Sequence, residues 1–581
     1  MIASSPAAPG AAATRAAGAA VSRIVLIAVG GFVLFLSLYP LGWLLWGSFQ
    51  TAAPFAVEKG AFTLANYARA YADPLLAKTA VNTVVFALGQ MAVAIGLGTA
   101  LGWVVMRTDT PGRRWFEFLI LALFLMPLIL AVVAWTMLLS PQIGLVNRLA
   151  MAAFGLSSPP FDVYSLGGMI FVQGLYLTPL AFLIVGPAFV ALDAGLEESA
   201  RVSGASQWQV FGRVTLPLAL PAIYSAAILL FVIGIESFDI PQMLGANKGL
   251  YTYTSLIYYE ILGRFPANYG GATALALALL IFAFLCVYLY RRLTRHAERF
   301  QTIKGKSYRP GVIALGRWRW ALSAGCWSFF VLAVFLPLAI LFVGSLMPYY
   351  GEFSLAMVER MSWVNYERIG RHPTLLAGVR NSFLLAAVAG AACVLIAAVI
   401  AYIAGRTQLK GRGLVEGIAM LPISFPGTVL GVALLWAYIG VPLPIYGTVL
   451  ILAIAYITRY LPIGLRTVSG GMLQIGSELE EASRTAGAPW LATFRRVMLP
   501  LLKPSLMAAW VLLFMIFFRE LPMSLLLSAR GNPVLSVVMF DYYQSGEMGP
   551  LAAVAMCVLI GVIAVVVVAH RLIRPRAELM H

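Results

Sequence analysis

Twelve stretches of about 20 mostly apolar residues, each long enough to cross a bilayer core as a helix, constrain this chain more than any other feature. They lie near 24–48, 82–106, 115–139, 164–190, 221–241 and 272–290, then 321–347, 381–405, 414–440, 446–466, 504–526 and 551–570. Only 11% of the 581 residues are charged and 61% are hydrophobic. A soluble domain dresses its surface with roughly a quarter charged residues, so most of this surface faces lipid. The composition predicts an all-α membrane protein with about twelve transmembrane helices. Residues 1–23, rich in Ala, Gly and Ser, read as a disordered cytoplasmic tail. A cleaved signal peptide fits worse, because the apolar run after Arg23 far exceeds a signal core of about 7–15 residues.

Charge orients the spans. Between Arg291 and Arg319 stand nine basic residues and one acid, Glu298. Arg107, Arg113 and Arg114 follow the second span, Arg406, Lys410 and Arg412 the eighth, and Arg571, Arg574 and Arg576 the last. With twelve spans all these segments share one side, the cytoplasmic one where basic residues collect, and both termini join them. Loops 51–78 and 242–271, of mixed charge, fall outside. The basic segment reads as a cytoplasmic linker rather than a nucleic-acid patch. The expected domains are a tail at 1–23, a first repeat at 24–290, a linker at 291–320, a second repeat at 321–576 and a short tail at 577–581.

The halves echo one another. Asn66-Tyr67 returns as Asn365-Tyr366, Asn82-Thr83 as Asn381-Ser382, and Gly98 with Gly102 as Ala397 with Ala401, all at an offset of 299. Asn-Thr and Asn-Ser read as helix caps, and small residues four apart let helices approach closely in lipid. Six spans per half give both halves the same orientation, a parallel repeat related by an axis along the membrane normal.

A second duplication is stronger. Leu196-Glu197-Glu198-Ser199-Ala200-Arg201-Val202-Ser203-Gly204-Ala205 leads to Leu216-Pro217 and Pro221. Leu479-Glu480-Glu481-Ala482-Ser483-Arg484-Thr485-Ala486-Gly487-Ala488 leads to Leu499-Pro500 and Pro504. The offset is 283, and 13 of the 26 positions from Leu196 to Pro221 are identical. Paired carboxylates open a short helix where its dipole favours them, Gly204 and Gly487 end it, and Pro217 and Pro500 are expected to stop a second short helix before the next span. Two bent amphipathic segments on the cytoplasmic side result. An interfacial helix on headgroups is the plainer alternative.

These loops resemble the EAA loop of the inner-membrane permeases of binding-protein-dependent ABC importers. The motif has an acidic residue, two small residues, a Gly a few positions on and a closing Leu-Pro. Ser199 and Ser483 stand where Ala is usual. The resemblance covers nearly the whole chain as two fused six-helix permease cores. It implies that Glu197, Glu198, Arg201, Gly204, Ala205, Glu480, Glu481, Arg484, Gly487 and Ala488 couple the chain to a separate cytoplasmic ATP-binding subunit, present in two copies. It also implies an extracytoplasmic solute-binding protein and a place in the bacterial inner membrane. Fused double permeases of this length resemble those of ferric-iron importers, with Phe518-Arg519-Glu520-Leu521-Pro522 similar to that subgroup. Thiamine, polyamine, phosphonate or oxyanion are the alternative substrates.

Several absences fit. No phosphate-binding G-x-x-x-x-G-K-[ST] occurs, since Phe300 stands where the first Gly before Gly305-Lys306-Ser307 belongs. The chain is therefore not expected to be an enzyme or to bind a cofactor, and ATP belongs to the partner. Four scattered histidines and four cysteines within apolar runs offer no metal site. A twelve-helix secondary transporter is the rival class, but Arg107-Thr108-Asp109-Thr110-Pro111-Gly112-Arg113-Arg114 departs from its loop signature and leaves the duplicated loops unexplained. Ionisable groups inside spans cost about 2.5–3.5 kcal/mol each at mid-bilayer. Glu236 and Arg519, each roughly 22 Å along its helix from Pro221 or Pro504, are candidate pore or gate residues with Asp239 and Glu520. Pro241 and Pro522 are expected to break those helices.

Overall fold

The computed structural model describes residues 9–56, 60–297, 311–351, 359–407, 409–488, 490–529 and 531–573. Among them the chain is helical, and the only extended pairings are two isolated bridges. Nine helices among the described residues are long and apolar enough to span: Leu26–Ser48, Pro74–Arg107, Leu166–Val190, Gln207–Glu236, Tyr269–Tyr290, Trp318–Leu346, Pro373–Arg406, Val449–Leu473 and Met548–Val565. Three further runs are bent pairs: Arg113–Leu125 with Leu128–Leu139 at 98°, Arg412–Ser424 with Gly427–Tyr438 at 108°, and Phe494–Leu501 with Lys503–Phe518 at 66°. The first two breaks fall at Pro127 and Pro426, since the residue before a proline is pushed out of helical conformation.

Contacts decide whether the first two bent pairs cross. Arg107, after the second span, touches Glu197, after the fourth, at 3.0 Å, so both lie on one membrane side. Leu166–Val190 crosses once, being about 37 Å long at 1.5 Å per residue, so the bent pair before it crosses once too. Tyr402 and Glu480 impose the same parity on the second half. The fold is thus an all-α membrane protein of about twelve spans in two parallel six-helix repeats.

Three expectations are corrected. The N-terminal helix starts at Pro9, within the expected tail, where Ala-rich sequence favours helix. Asn82 and Asn381 do not open their helices, which begin eight residues earlier at Pro74 and Pro373; Asp73 is the true cap, accepting from the Leu75 N–H at 2.8 Å. Pro217 does not stop its helix either. A π-helical turn at Phe211–Thr215 absorbs the proline, and the helix runs on to Glu236. The same turn recurs at Phe494–Met498, but there the chain bends by 66°.

Packing falls into two compact units: Met1–Phe62 with Ala377–Val537 and Gly561–His581, and Thr63–Leu376 with Val538–Ile560. In the first, the span Leu26–Ser48 lies on the bent pair of the second repeat. A Cβ on Gly30 would meet Val415, one on Gly47 would meet the Trp436 ring, and the Tyr39 hydroxyl donates to the Ala437 carbonyl at 3.2 Å. In the second, Trp318–Leu346 lies on the bent pair of the first repeat, Phe116 stacking on Phe330 and Gly344 facing Met137. Each repeat lends its opening span to the other, an exchange of equivalent elements within one chain.

The small residues do pack closely. A Cβ on Gly98 would stand 2.4 Å from the Ala181 Cβ, and the equivalent pair in the second repeat is reversed, Ala397 against Gly464. Gly98→Ala will therefore lower the melting temperature, and adding Ala181→Gly will recover most of the loss. Thermal unfolding of the purified chain checks both. The duplicated Asn66 and Asn365 are buried, each filling the space that a Cβ on Gly270 or Gly549 would need. Asn365 donates to the Ser345 and Met347 carbonyls at 3.0 and 2.6 Å.

Candidate functional site

The two duplicated loops are built alike. Asp193 caps the helix Ala194–Val202 through the Gly195 N–H. Gly204 then takes φ +87°, a left-handed conformation that suits glycine, and the Ala205 N–H reaches back to the Ala200 carbonyl at 3.1 Å. That six-to-one bond is the Schellman closure of a helix end. In the second loop Glu478–Thr485 ends likewise, with Gly487 at φ +82° and the Ala488 N–H on the Ser483 carbonyl at 3.1 Å. Short helices follow at Gln207–Val210 and Trp490–Thr493, then the π turns that enter the spans.

The paired glutamates divide their roles. Glu197 is 3% exposed and Glu480 4%, while Glu198 and Glu481 face outward. Glu197 accepts from Arg107 at 3.0 Å and from the Thr215 hydroxyl at 2.7 Å. Arg107 is itself 1% exposed, so the loop is tied to the end of the second span by a buried ion pair. A buried carboxylate needs such partners to keep its charge. In the second loop the Tyr402 hydroxyl donates to Glu480 at 2.7 Å. Tyr402 holds the position of Trp103, which has no hydroxyl to offer. Arg406, equivalent to Arg107, instead donates to the Met472 carbonyl at 2.6 Å and to the Ile475 carbonyl. Both aromatics also pack on the loop, Trp103 on Phe211 at 4.6 Å and Tyr402 on Phe494 at 5.0 Å.

Arg201 is exposed and lines a small pocket with Glu197, Trp103, Gln207 and Ile313. The side chain of Arg484 lies outside the described residues, as do linker residues 298–310. Linker residues 291–297 continue the helix Tyr269–Ala297, while residues 311–319 dock on the first loop's base. Ile313 donates to the Arg107 carbonyl at 2.9 Å and accepts from the Asp109 N–H at 3.1 Å, and the Asp109 carboxylate accepts from the Leu315 N–H at 2.9 Å. Arg319 stands 3.8 Å from Asp109.

The intramembrane candidates differ among themselves. Glu236 ends its helix and is half-buried, as is Asp239, while Arg519 is exposed just past Phe518. Glu520 is 6% exposed and accepts from the Tyr460 hydroxyl and from the Met523 N–H, which heads the helix Pro522–Leu527. Both helices end before Pro241 and Pro522, at Glu236 and Phe518 with Ser237 and Arg519 as caps, and each proline starts the following turn instead. Among the described residues no cluster of His, Cys, Asp and Glu could hold a metal ion.

Two bent loops, each pinned beneath a six-span helical repeat and carrying an outward acid, define a duplicated membrane permease. Residues 92–299 and 373–579 each match the family described as binding-protein-dependent transport system inner membrane component, and the chain belongs to it. Its nine to twelve candidate spans among the described residues fit a multi-pass inner membrane component of that kind. The chain is 27% identical to the ferric transport system permease protein FbpB of Actinobacillus pleuropneumoniae, over 70% of this chain and 58% of that one. The second FbpB-type permease of Haemophilus influenzae is 22% identical over 84% and 88%. Spermidine/putrescine permease PotB of Salmonella typhimurium is 25% identical over 46% of this chain and 92% of its own. The chain spans about 58% of the length of the FbpB relative from Actinobacillus. A solved bacterial ABC transporter that imports alginate superimposes with TM-score 0.39 at 18% identity, over 48% of this chain and 95% of that one.

Sequence reasoning missed Arg107, Thr215 and Tyr402. Arg107 and Arg406 stand at the 299 offset already noted, and that register was the available signal. It was read only as loop charge.

Proposed function

We propose that this chain forms the translocation pathway of an ATP-driven importer of ferric iron. Each bent loop couples it to one copy of a separate cytoplasmic ATP-binding subunit, and an extracytoplasmic solute-binding protein delivers the cargo. Both termini then lie in the cytoplasm of a cell whose inner membrane holds the protein. The observation that carries the reading is the split glutamate pair. One acid per loop is spent inside on fixing the loop's position, and the next points outward from a helix whose end is sharply turned. A plain headgroup-lying helix has no use for an internal anchor. Ferric iron is favoured by the FbpB relatives, whose matches cover most of this chain.

The test is reconstitution. The chain, purified with its ATP-binding subunit into proteoliposomes and supplied with its binding protein, will take up ferric iron only when ATP is hydrolysed. Uptake of spermidine, thiamine or a phosphonate in place of iron reassigns the cargo. Uptake on an ion gradient without nucleotide would favour a secondary transporter and sink the reading. Glu236, Asp239, Arg519 and Glu520 are taken as pathway or gate groups. Glu236→Lys and Arg519→Glu will each lower the initial uptake rate at least fivefold while binding of the ATP-binding subunit stays unchanged. Unaltered uptake in both variants would remove them from the pathway.

A further inference from the structure

In each repeat the fifth span ends at Glu236 or Phe518, short helical turns follow at Pro241–Lys248 or Pro522–Leu527, and the next helix opens at Tyr253 or Leu535. The 13-residue stretches 238–250 and 521–533 have little sequence in common. The hydrogen bonds that close the two segments are nevertheless the same. The Thr254 hydroxyl donates to the Ser237 carbonyl at 2.5 Å, and the Ser536 hydroxyl donates to the Glu520 carbonyl at 2.6 Å. Each bond draws the ends of the segment together into a closed loop.

A second set fastens each loop to the second span of its own repeat. Asn82 donates to the Tyr251 carbonyl at 3.3 Å, while the Thr83 hydroxyl accepts from the Tyr253 N–H at 2.9 Å. Asn381 donates to the Pro533 carbonyl at 2.9 Å, while the Ser382 hydroxyl accepts from the Leu535 N–H at 2.8 Å. The Asn-Thr and Asn-Ser pairs are thus lateral clasps between segments about 150 to 170 residues apart in sequence. Thr83, Thr254, Asn381, Ser382 and Ser536 are all buried. A side chain that satisfies a backbone group in this way replaces the helical partner the group has lost. Irregular backbone at membrane depth survives only where protein surrounds it or where it borders a watery cavity.

We propose that these residues are positioning residues for transport. They hold each closed loop, which carries Asp239 or follows directly on Glu520, at a fixed shape on its second span, and the pathway opens by moving loop and span as one body. The proposal rests on the reading that the chain forms the translocation pathway.

The test uses the whole chain assembled with its partners in proteoliposomes, ferric iron as the probe, and a background with Cys286, Cys326, Cys393 and Cys557 changed to Ala. Thr83→Cys with Tyr253→Cys, and Ser382→Cys with Leu535→Cys, allow loop and span to be joined by a disulfide or a short thiol cross-linker. Joined complexes will keep more than half the uptake of their unjoined forms. A fall below half, reversed on cleaving the link, means that the loop swings away from the span and overturns the proposal. A second measurement needs no cargo. In the purified whole chain, Thr254→Val will speed amide exchange across 238–251 at least tenfold, while Thr254→Ser will keep it slow. Exchange in Thr254→Val matching the unsubstituted chain also overturns the proposal. If the unsubstituted assembly takes up no iron with ATP, the ferric-iron reading fails instead, and the exchange result still decides the loop's closure.

Discussion

Arg107→Ala will cost the chain about 3–5 kcal/mol, the usual loss when one member of a buried ion pair is removed. The variant leaves Glu197 at 3% exposure with only the Thr215 hydroxyl among its two side-chain donors. The first bent loop then loses its tie to the second span, and apparent melting temperature and ATP-driven uptake fall together. Pairing Arg107→Met with Glu197→Leu will restore most of the melting temperature, because replacing both charges by apolar groups removes the uncompensated one. Thermal unfolding of the purified variants separates these outcomes. Equal stability of Arg107→Ala and the unsubstituted chain would mean that the pair does not hold the loop. Arg406→Ala should act more mildly, since Arg406 serves neutral carbonyls and Glu480 keeps its Tyr402 donor.

Glu198→Lys combined with Glu481→Lys will leave the fold intact and abolish coupling. Both side chains are exposed, and exposed substitutions away from special contacts usually change stability by no more than about 0.5 kcal/mol. Reversing both outward charges should reduce ATP-driven uptake more than tenfold and prevent co-purification of the ATP-binding subunit, with each single variant falling between. Retained association and uptake in the double variant would exclude the loops as the coupling surface. Glu197 and Glu480 are the wrong positions for this experiment. A lysine at 197 would face Arg107 inside the protein, and a failure to fold would look the same as a failure to couple.

The spans, their number and the parallel duplication were legible because lipid demands long apolar runs and a repeat keeps its register. The bent loops were legible because two glycines and two prolines recur at one offset. The breaks within spans were displaced, because a proline is accommodated in the first turn of the helix it opens: Pro241 and Pro522 follow their breaks rather than cause them on the spot. The split between Glu197 and Glu198 was partly visible. Ala194 and Glu197 lie three apart, on the same face of a short helix, and both are buried, but only the partner on a distant span shows that the face is an anchor. The lateral clasps at Asn82 and Asn381 were not legible at all. Their residue types suit a helix cap equally well, and only the third dimension brings Tyr251 and Pro533 beside them.

The exchange of opening spans bears on how such a chain is made. The helix Leu26–Ser48 leaves the ribosome well ahead of its neighbour, since the surface that receives Gly30, Tyr39 and Gly47 is built from residues 412–438. For some four hundred residues of synthesis the first helix sits in the bilayer without its permanent neighbour. A half-chain ending in the linker would keep it an orphan and would lack the Trp318–Leu346 helix that covers its own bent pair. Joining the two repeats in one polypeptide guarantees that every orphan meets its counterpart at a ratio of one to one.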